Sequence, residues 1–160
     1  MIVRIISGGQ TGADRAAIDF AIEHNIPYSG WIPRGRKAED GRLSEKYRLK
    51  EMPTDSYPKR TEMNIQDSDG TLIISHGKLT GGSALTRELA KRYKKPWIHL
   101  DMNKLSLSEA SDILQAWMKK NQVNNLNVAG PRASKDPMIY ETTFDVLESA
   151  LAKKSTTVFD

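Results

Sequence analysis

The sequence predicts one three-layer α/β domain built on a mainly parallel β-sheet. Short runs of β-branched and other apolar residues alternate with segments of helical periodicity along the chain. This alternation is typical of parallel sheets covered by helices on both faces. Glycine-bearing segments follow three of the apolar runs, at residues 7–12, 77–82 and 129–130. Because ligands bind such folds at the carboxyl ends of the strands, these segments are the candidate site.

Four apolar runs, at residues 2–7, 71–75, 97–100 and 126–129, are predicted to form the centre of the sheet. Each run is short and hydrophobic almost throughout, which is typical of strands buried on both faces. A further short strand is expected at residues 26–31. The sheet therefore has four or five strands in the predicted fold.

Five segments carry the apolar spacing or the end signals of helices. They span residues 13–24, 58–67, 83–94, 108–120 and 137–152, with Ser108 as the expected N-cap of the fourth. Between the first two helices, residues 32–56 are rich in proline, glycine and charge and are expected to form a long loop. Loops of this length in compact domains are usually functional or mobile.

Length and composition indicate one soluble domain over residues 1–152, with a tail at residues 153–160. Of the 160 residues, 38% are hydrophobic and 28% charged, which excludes a disordered or fibrous chain. The absence of cysteine excludes disulfides, thiol nucleophiles and thiolate metal sites. No apolar run is long enough to span a membrane and no signal-peptide pattern precedes the first strand, so a cytoplasmic location is expected.

The net charge of +4 favours an anionic ligand but is too small to indicate nucleic-acid binding. Residues 7–15 follow the first strand and open the first helix. Their glycines allow a tight turn whose amides point at an anion beside the positive end of the helix dipole. When this segment is considered alone, the alternative is a tight turn that serves only the packing of strand and helix. The spacing of its glycines does not match a Walker A loop.

Residues 78–88 and 127–135 are two further glycine-bearing segments that follow later strands, and they are interpreted in the same way, as candidate anion-binding segments. The carboxyl ends of parallel strands lie at one edge of the sheet, so the three segments together predict a single site for a phosphate-bearing ligand. Arginines in or near these loops are expected to supplement the backbone donors. The predicted ligand-binding residues are Gly8, Gly9, Gln10, Thr11, Gly12, Arg15, Arg34, Arg36, Thr80, Gly81, Gly82, Ser83, Asn127, Gly130 and Arg132.

No catalytic residue is predicted with these binding residues. Glu88 is a weak candidate because a solvated helix position explains it equally well, and Asp14 and Asp69 have no visible partner in the sequence. The three histidines, at positions 24, 76 and 99, show no metal-ligand spacing and are interpreted as structural. No metal ion ligated by the protein is therefore expected.

Many of these segments resemble the family of molybdenum cofactor carrier proteins. The resemblance runs from residue 5 to about residue 151 and is carried by residues 7–15, 30–36, 38–41, 60–61, 64, 67–69, 79–82 and 126–132. It implies a Rossmann-like fold related to the LOG-type ("lysine decarboxylase-like") phosphoribohydrolases. It further implies a homo-oligomer that carries the molybdopterin cofactor as cargo, binding its phosphate and its pterin, and that delivers it to molybdoenzymes.

Kinship with the LOG-type enzymes implies an alternative, a phosphoribohydrolase or another enzyme that binds nucleoside monophosphates. Those enzymes use a Gly-Gly-x-Gly-Thr-x-x-Glu segment whose Glu acts in cleavage of the N-glycosidic bond. Here Gly81, Gly82 and Glu88 match, whereas Ala84 and Leu85 stand where the family has Gly and Thr. The phosphate-binding half of the motif is retained and the catalytic half is incomplete. A carrier without catalysis is therefore the expected function.

Overall fold

The structure is a computed structural model that describes residues 4–152. The described chain forms the following elements in order: β1 (Arg4–Ile6), α1 (Ala13–Glu23), β2 (Tyr28–Ser29), β3 (Trp31–Ile32), β4 (Lys37–Ala38), β5 (Gly41–Arg42), β6 (Lys50–Glu51), α2 (Tyr57–Asp67), β7 (Gly70–Ser75), α3 (Gly81–Arg92), β8 (Trp97–Asp101), α4 (Leu107–Lys120), β9 (Asn125–Ala129) and α5 (Ile139–Leu151). The predicted tail and the first two residues of the predicted first strand lie outside the described residues.

The central sheet contains five strands in the order β2-β1-β9-β7-β8, and every pairing in it is parallel. Ile5 of β1 lies opposite Leu126 of β9, and Leu72 of β7 lies opposite Val128 of β9. All six residues of β7 are buried, as expected for a strand covered on both faces. The predicted α/β class with a parallel sheet is confirmed.

Helices cover both faces of this sheet and complete the three layers. On one face, α1, α4 and α5 pack together around a core that includes Phe20, Leu72, Leu114 and Val146, all fully buried. On the other face, α2 and α3 meet around Ile65 and their neighbours. Removal of this apolar surface from water is the main stabilising contribution to the fold. No helix within residues 4–152 is both long and apolar enough to cross a membrane.

Four of the five helices begin one or two residues away from the predicted start. Of these, α2 begins at Tyr57 instead of residue 58, and α5 begins at Ile139 instead of residue 137. The N-cap of α4 is Ser106 and not Ser108, because Ser106 forms a capping box with Glu109. The Ser106 hydroxyl accepts the N–H of Glu109 at 3.1 Å, and the Glu109 carboxylate accepts the N–H of Ser106 at 3.0 Å. The third helix begins at Gly81, two residues before the predicted start at Ser83.

The single strand expected at residues 26–31 is instead two short strands that belong to different sheets. Gly30, with φ 151°, separates β2 from β3, and a Cβ atom there would overlap the carbonyl oxygen of Ser7. This close approach redirects the chain, so β3 leaves the central sheet and pairs with β6. The one-strand prediction was wrong because it depended on apolar character and took no account of Gly30.

The segment at residues 32–56 packs onto α1 rather than extending freely from the domain. Leu43 and Tyr47 are buried in a small cluster with residues of α1 and β3. Arg36 lies inside the segment, where its guanidinium donates to the carbonyls of Leu43 at 3.0 Å, Ser44 at 2.8 Å and Tyr47 at 2.7 Å. These contacts give the long segment a fixed structure of its own.

Candidate functional site

A cavity of about 640 Å³ lies at the carboxyl ends of β1, β9 and β7. Its walls come from the segments that follow these three strands, from α2 on one side and from the start of α5 on the other. The chain proceeds from β1 through α1 to one edge of the sheet and from β7 through α3 to the opposite edge. The cavity therefore occupies the switch point at which open α/β sheets bind ligands.

All three predicted glycine-bearing segments contribute to this cavity. The predicted residues that line it are Gly8, Gln10, Thr80, Gly82, Ser83, Asn127, Gly130 and Arg132. Their convergence follows from the parallel pairing, which brings the carboxyl ends of the strands to one edge. Their contact with a ligand remains a prediction.

Other predicted binding residues lie outside the cavity wall, namely Gly9, Thr11, Gly12, Arg15, Arg34, Arg36 and Gly81. The Arg15 guanidinium donates to the carbonyl of Gly9 at 3.1 Å and pairs with Asp40 at 3.0 Å. Arg36 is occupied by the three carbonyls within its own segment, and Arg34 is exposed. Arg15 and Arg36 therefore hold the long segment in place, and none of the three arginines lines the cavity.

Thr11 has a structural partner for its hydroxyl. The hydroxyl donates to the carboxylate of Glu39 and accepts the N–H of Ala133 at 3.0 Å. Glu39 also accepts the N–H of Ser134 at 3.0 Å and its hydroxyl at 2.6 Å. Burial acts to raise the pKa of Glu39, but the hydrogen bonds from Ser134 and Thr11 outweigh it and lower the pKa. Glu39 thus fastens the long segment to two of the cavity loops.

Arg60 of α2 is the buried cation of the cavity, and the sequence did not identify it as a ligand contact. Its guanidinium donates to the carbonyl of Gly8, and Nη1 lies 3.6 Å from Oδ2 of Asp14. Its Nε has no hydrogen-bond partner within residues 4–152. Burial lowers the pKa of Arg60, and the nearby Asp14 carboxylate opposes this effect. Buried donors without a partner are rare in folded proteins, and an ion bound beside them is one of the arrangements that explains them.

Asp14 lies beside Arg60 at the bottom of the same wall. Burial raises the pKa of its carboxyl to about 6, although the charge of Arg60 and the N–H of Gln10, at 3.3 Å, act to lower it. A structural role at the start of α1 and a role at the cavity are both compatible with this position. Asp14 and Arg60 form a buried ion pair, because Oδ2 of Asp14 lies 3.6 Å from Nη1 of Arg60. The pKa of Asp14 therefore depends on the charge of Arg60.

Gln10 supplies a second buried donor without a partner. Its Oε1 accepts the N–H of Thr11 at 3.1 Å and the N–H of Glu39 at 2.8 Å, which fixes the orientation of the amide. Its Nε2 then has no hydrogen-bond partner in the described part of the chain, although the side chain lines the cavity. Gln10 and Arg60 therefore offer two unsatisfied donors at one wall.

The start of α3 adds positive potential to the cavity. The N-cap Thr80 makes no side-chain hydrogen bond to the helix amides within the described residues, so the first N–H groups are not capped by it. The Nζ atom of Lys135 would lie 2.9 Å from a Cβ on Gly81. The cavity lining as a whole has four cationic side chains, those of Arg60, Lys78, Arg132 and Lys135, and two acidic ones, those of Asp14 and Asp136. This arrangement attracts an anion.

Comparisons with known proteins agree with the fold. The family model described as "Circularly permutated YpsA SLOG family" matches residues 5–151. The chain belongs to this family. It is also 60% identical to a "putative molybdenum carrier protein" from Syntrophus aciditrophicus SB, whose 1.45 Å crystal structure matches with a TM-score of 0.93. The match covers 94% of this chain and 96% of that one. A search of curated proteins found no match.

The weak catalytic candidate of this SLOG-family chain lies outside the cavity. Glu88 is on α3 with its side chain 55% exposed, and it pairs with Arg87 at 3.1 Å and with Lys91 at 3.8 Å. Asp69 is also outside the cavity and accepts the N–H groups of Asn124 and Asn125. Both carboxylates therefore have structural partners where they lie.

The histidines of the SLOG-family chain occupy three different settings. His24 pairs with Glu148 at 3.1 Å on the surface, and with Glu23 these groups are close enough to share a cation. His99 contacts the Ser75 hydroxyl at 2.7 Å, and burial lowers its pKa. His76 lines the cavity and was interpreted from the sequence as structural. It has both a carboxylate and a hydroxyl partner, which no local sequence pattern indicates.

Proposed function

We propose that the cavity binds the molybdenum cofactor as cargo, with the phosphate of the cofactor at the wall formed by Arg60, Gln10 and the start of α3. The two buried donors without partners, Arg60 Nε and Gln10 Nε2, are the observation that carries this proposal. A phosphate offers acceptor oxygens to both donors and a negative charge to the surrounding cations. The carrier name of the 60% identical protein supports the choice of cargo.

The size and chemistry of the cavity support a ligand larger than a free phosphate ion. A volume of about 640 Å³ is in the range of sites for cofactors and other small molecules. The remaining lining includes the polar residues Asn64, Ser75, Thr86 and Asn127. Their side chains also bond within the protein, to Trp31, Gly77, Gly82 and Thr71 respectively. The size of the cavity and its polar lining fit a heterocycle that is attached to a phosphate.

The surroundings of Gly82 also support a phosphate at the start of α3. A Cβ atom at this position would have no heavy atom of the described chain within 4 Å, so packing does not require a glycine there. The space in front of the helix start is open to the cavity.

We expect the carrier to act as a homo-oligomer in the cytoplasm and to deliver its cargo to molybdoenzymes.

Calorimetric titration of the full chain with the molybdenum cofactor, and separately with AMP, tests this function. We expect the cofactor to bind more tightly than AMP, and Gly82→Leu to weaken cofactor binding at least tenfold because the new side chain fills the phosphate space. Glu88→Leu, which adds leucine at an exposed position of the same helix, is the control and should bind as the wild type does. Tighter binding of AMP, or no binding of the cofactor, would contradict the proposal.

A further inference from the structure

His76 is held in the cavity wall by residues from two other parts of the chain. The residue follows β7 directly, and its Nδ1 lies 2.7 Å from Oδ2 of Asp136, in the segment before α5. Its Nε2 lies 3.3 Å from the hydroxyl of Thr142, on the first turns of α5. All three side chains line the cavity, and the imidazole is about three-quarters buried. The ring is thus fixed on both sides.

The carboxylate partner determines which nitrogen can act as an acceptor. A carboxylate only accepts hydrogen bonds, so Nδ1 of His76 carries the proton that it donates to Asp136. In the neutral imidazole, Nε2 then has the free electron pair, and the Thr142 hydroxyl donates to it. Histidines that bind metals have this same arrangement, in which the second ring nitrogen donates to a carboxylate and fixes the tautomer.

The other polar side chains of the cavity are less suited to binding a metal atom. The lysines and arginines of the lining are protonated donors without an electron pair to offer. Asp14 is paired with Arg60, and Asp136 is occupied by His76. The sequence has no cysteine that could offer a thiolate. Within the described cavity lining, His76 is the one imidazole, and in the neutral form of the ring its Nε2 has the electron pair that a metal needs.

We propose that His76 binds the molybdenum atom of the cargo through Nε2, an inference that rests on the proposed carrier function. The electron pair of Nε2 fills an open or water-occupied position on the metal, and a bound water leaves if one is present. The oxidation state of the metal does not change, and the Nδ1 proton stays in its hydrogen bond to Asp136. The Thr142 hydroxyl becomes free to donate to an oxygen atom on the metal.

The test compares two probes that differ only in the metal, the molybdenum cofactor and metal-free molybdopterin, on the full chain under anaerobic conditions. We expect His76→Ala to weaken binding of the cofactor at least tenfold and to change the affinity for metal-free molybdopterin by less than twofold. Asp136→Asn should weaken binding of the cofactor alone by about 10- to 100-fold, since partners that orient a metal-binding histidine have effects of this size. X-ray absorption at the molybdenum edge should show a nitrogen neighbour in the wild type that His76→Ala removes.

His24→Ala is the matched control, because it removes an imidazole that pairs with a carboxylate outside the cavity. It should change neither affinity. Equal weakening of both probes by His76→Ala, or weakening of neither, overturns the metal role while leaving the carrier function in place. A wild-type chain that binds neither probe overturns the carrier function and the metal role together. Thermal unfolding of each variant verifies that it is folded.

Discussion

The guanidinium of Arg60 donates a hydrogen bond to the carbonyl of Gly8, which precedes it by 52 residues. This bond joins α2 to the carboxyl end of β1 across the floor of the cavity. A Cβ on Gly8 would collide with the guanidinium and would lie 2.9 Å from Oδ2 of Asp14. A glycine at position 8 therefore leaves the space that the buried guanidinium of Arg60 occupies.

Substitution Gly8→Ala should displace Arg60 from the cavity floor. The lost hydrogen bond and the disturbed ion pair should lower the free energy of unfolding by about 1–3 kcal/mol, measured by urea denaturation. Cofactor affinity should fall at least tenfold. The control for the stability measurement alone is Gly82→Ala, where the added methyl meets open space, and which should keep or slightly raise stability. Wild-type affinity in Gly8→Ala would show that Arg60 does not hold the ligand.

The ionisation of Asp14 should appear in the pH dependence of stability. Its pKa is about 6 in the folded chain against an ordinary value of 3.8, so the folded state binds more protons between these pH values. Stability contributed by this group is therefore highest below pH 3.8 and falls as the pH rises through about 6.

The variant Asp14→Asn cannot titrate and isolates this contribution. Relative to the variant, the wild type should lose unfolding free energy between pH 4 and pH 6, by at most about 3 kcal/mol. Urea denaturation of both proteins at several pH values measures the difference. The raised pKa would be contradicted if the difference in unfolding free energy between the two proteins stayed constant from pH 4 to pH 6, or if it grew in favour of the wild type.

Substitution Glu39→Gln should loosen the long segment from the loops of the cavity. Loss of the charged acceptor of Ser134 and Thr11 should cost about 1–2 kcal/mol and speed amide exchange at Ala133 and Ser134. The pKa of Glu39 is lowered, so its stabilising effect is present above pH 4.5 and is lost as the pH falls below it. The wild type and the variant should therefore converge in acid, and unchanged exchange at neutral pH would argue against this anchoring role.

Glu88→Gln should leave both binding and chemistry unchanged, since its carboxylate lies on the surface outside the cavity. The assay measures release of ribose 5-phosphate from a panel of nucleoside monophosphates by the wild type and by the variant. We expect turnover by neither at ordinary enzymatic rates of about 1 per second or faster. Turnover by the wild type that disappears in the variant would identify a phosphoribohydrolase.

Ser106→Ala should destabilise the protein by about 1 kcal/mol because it removes the N-cap acceptor of α4. Ser108→Ala, at the position that the sequence alone suggested as the cap, should change stability by less than about half of this, since Ser108 is exposed within the helix. Thermal or urea denaturation distinguishes the two variants. Equal losses in both would show that the capping box contributes little.

The sequence by itself determined the fold class and the edge of the sheet at which the cavity lies. Residues 71–75 and 126–129 are apolar enough to indicate buried parallel strands, and in a parallel sheet the segments that follow such strands must meet at one edge. Local periodicity was sufficient for this conclusion because each element depends on residues adjacent in the chain. It failed at Gly30, where contact with Ser7 ends a strand that hydropathy alone continues.

Only the tertiary structure decided which side chains face the cavity. Arg15 and Arg36, at glycine-bearing segments, are turned to Asp40 and to main-chain carbonyls. Arg60, on a helix that follows no glycine-bearing segment, reaches the cavity floor. His76 obtains its partners from residues 60 and 66 positions later in the chain. The packing of α2 and α5 against the sheet sets these contacts, and its geometry depends on side chains far apart in sequence, which no local pattern encodes.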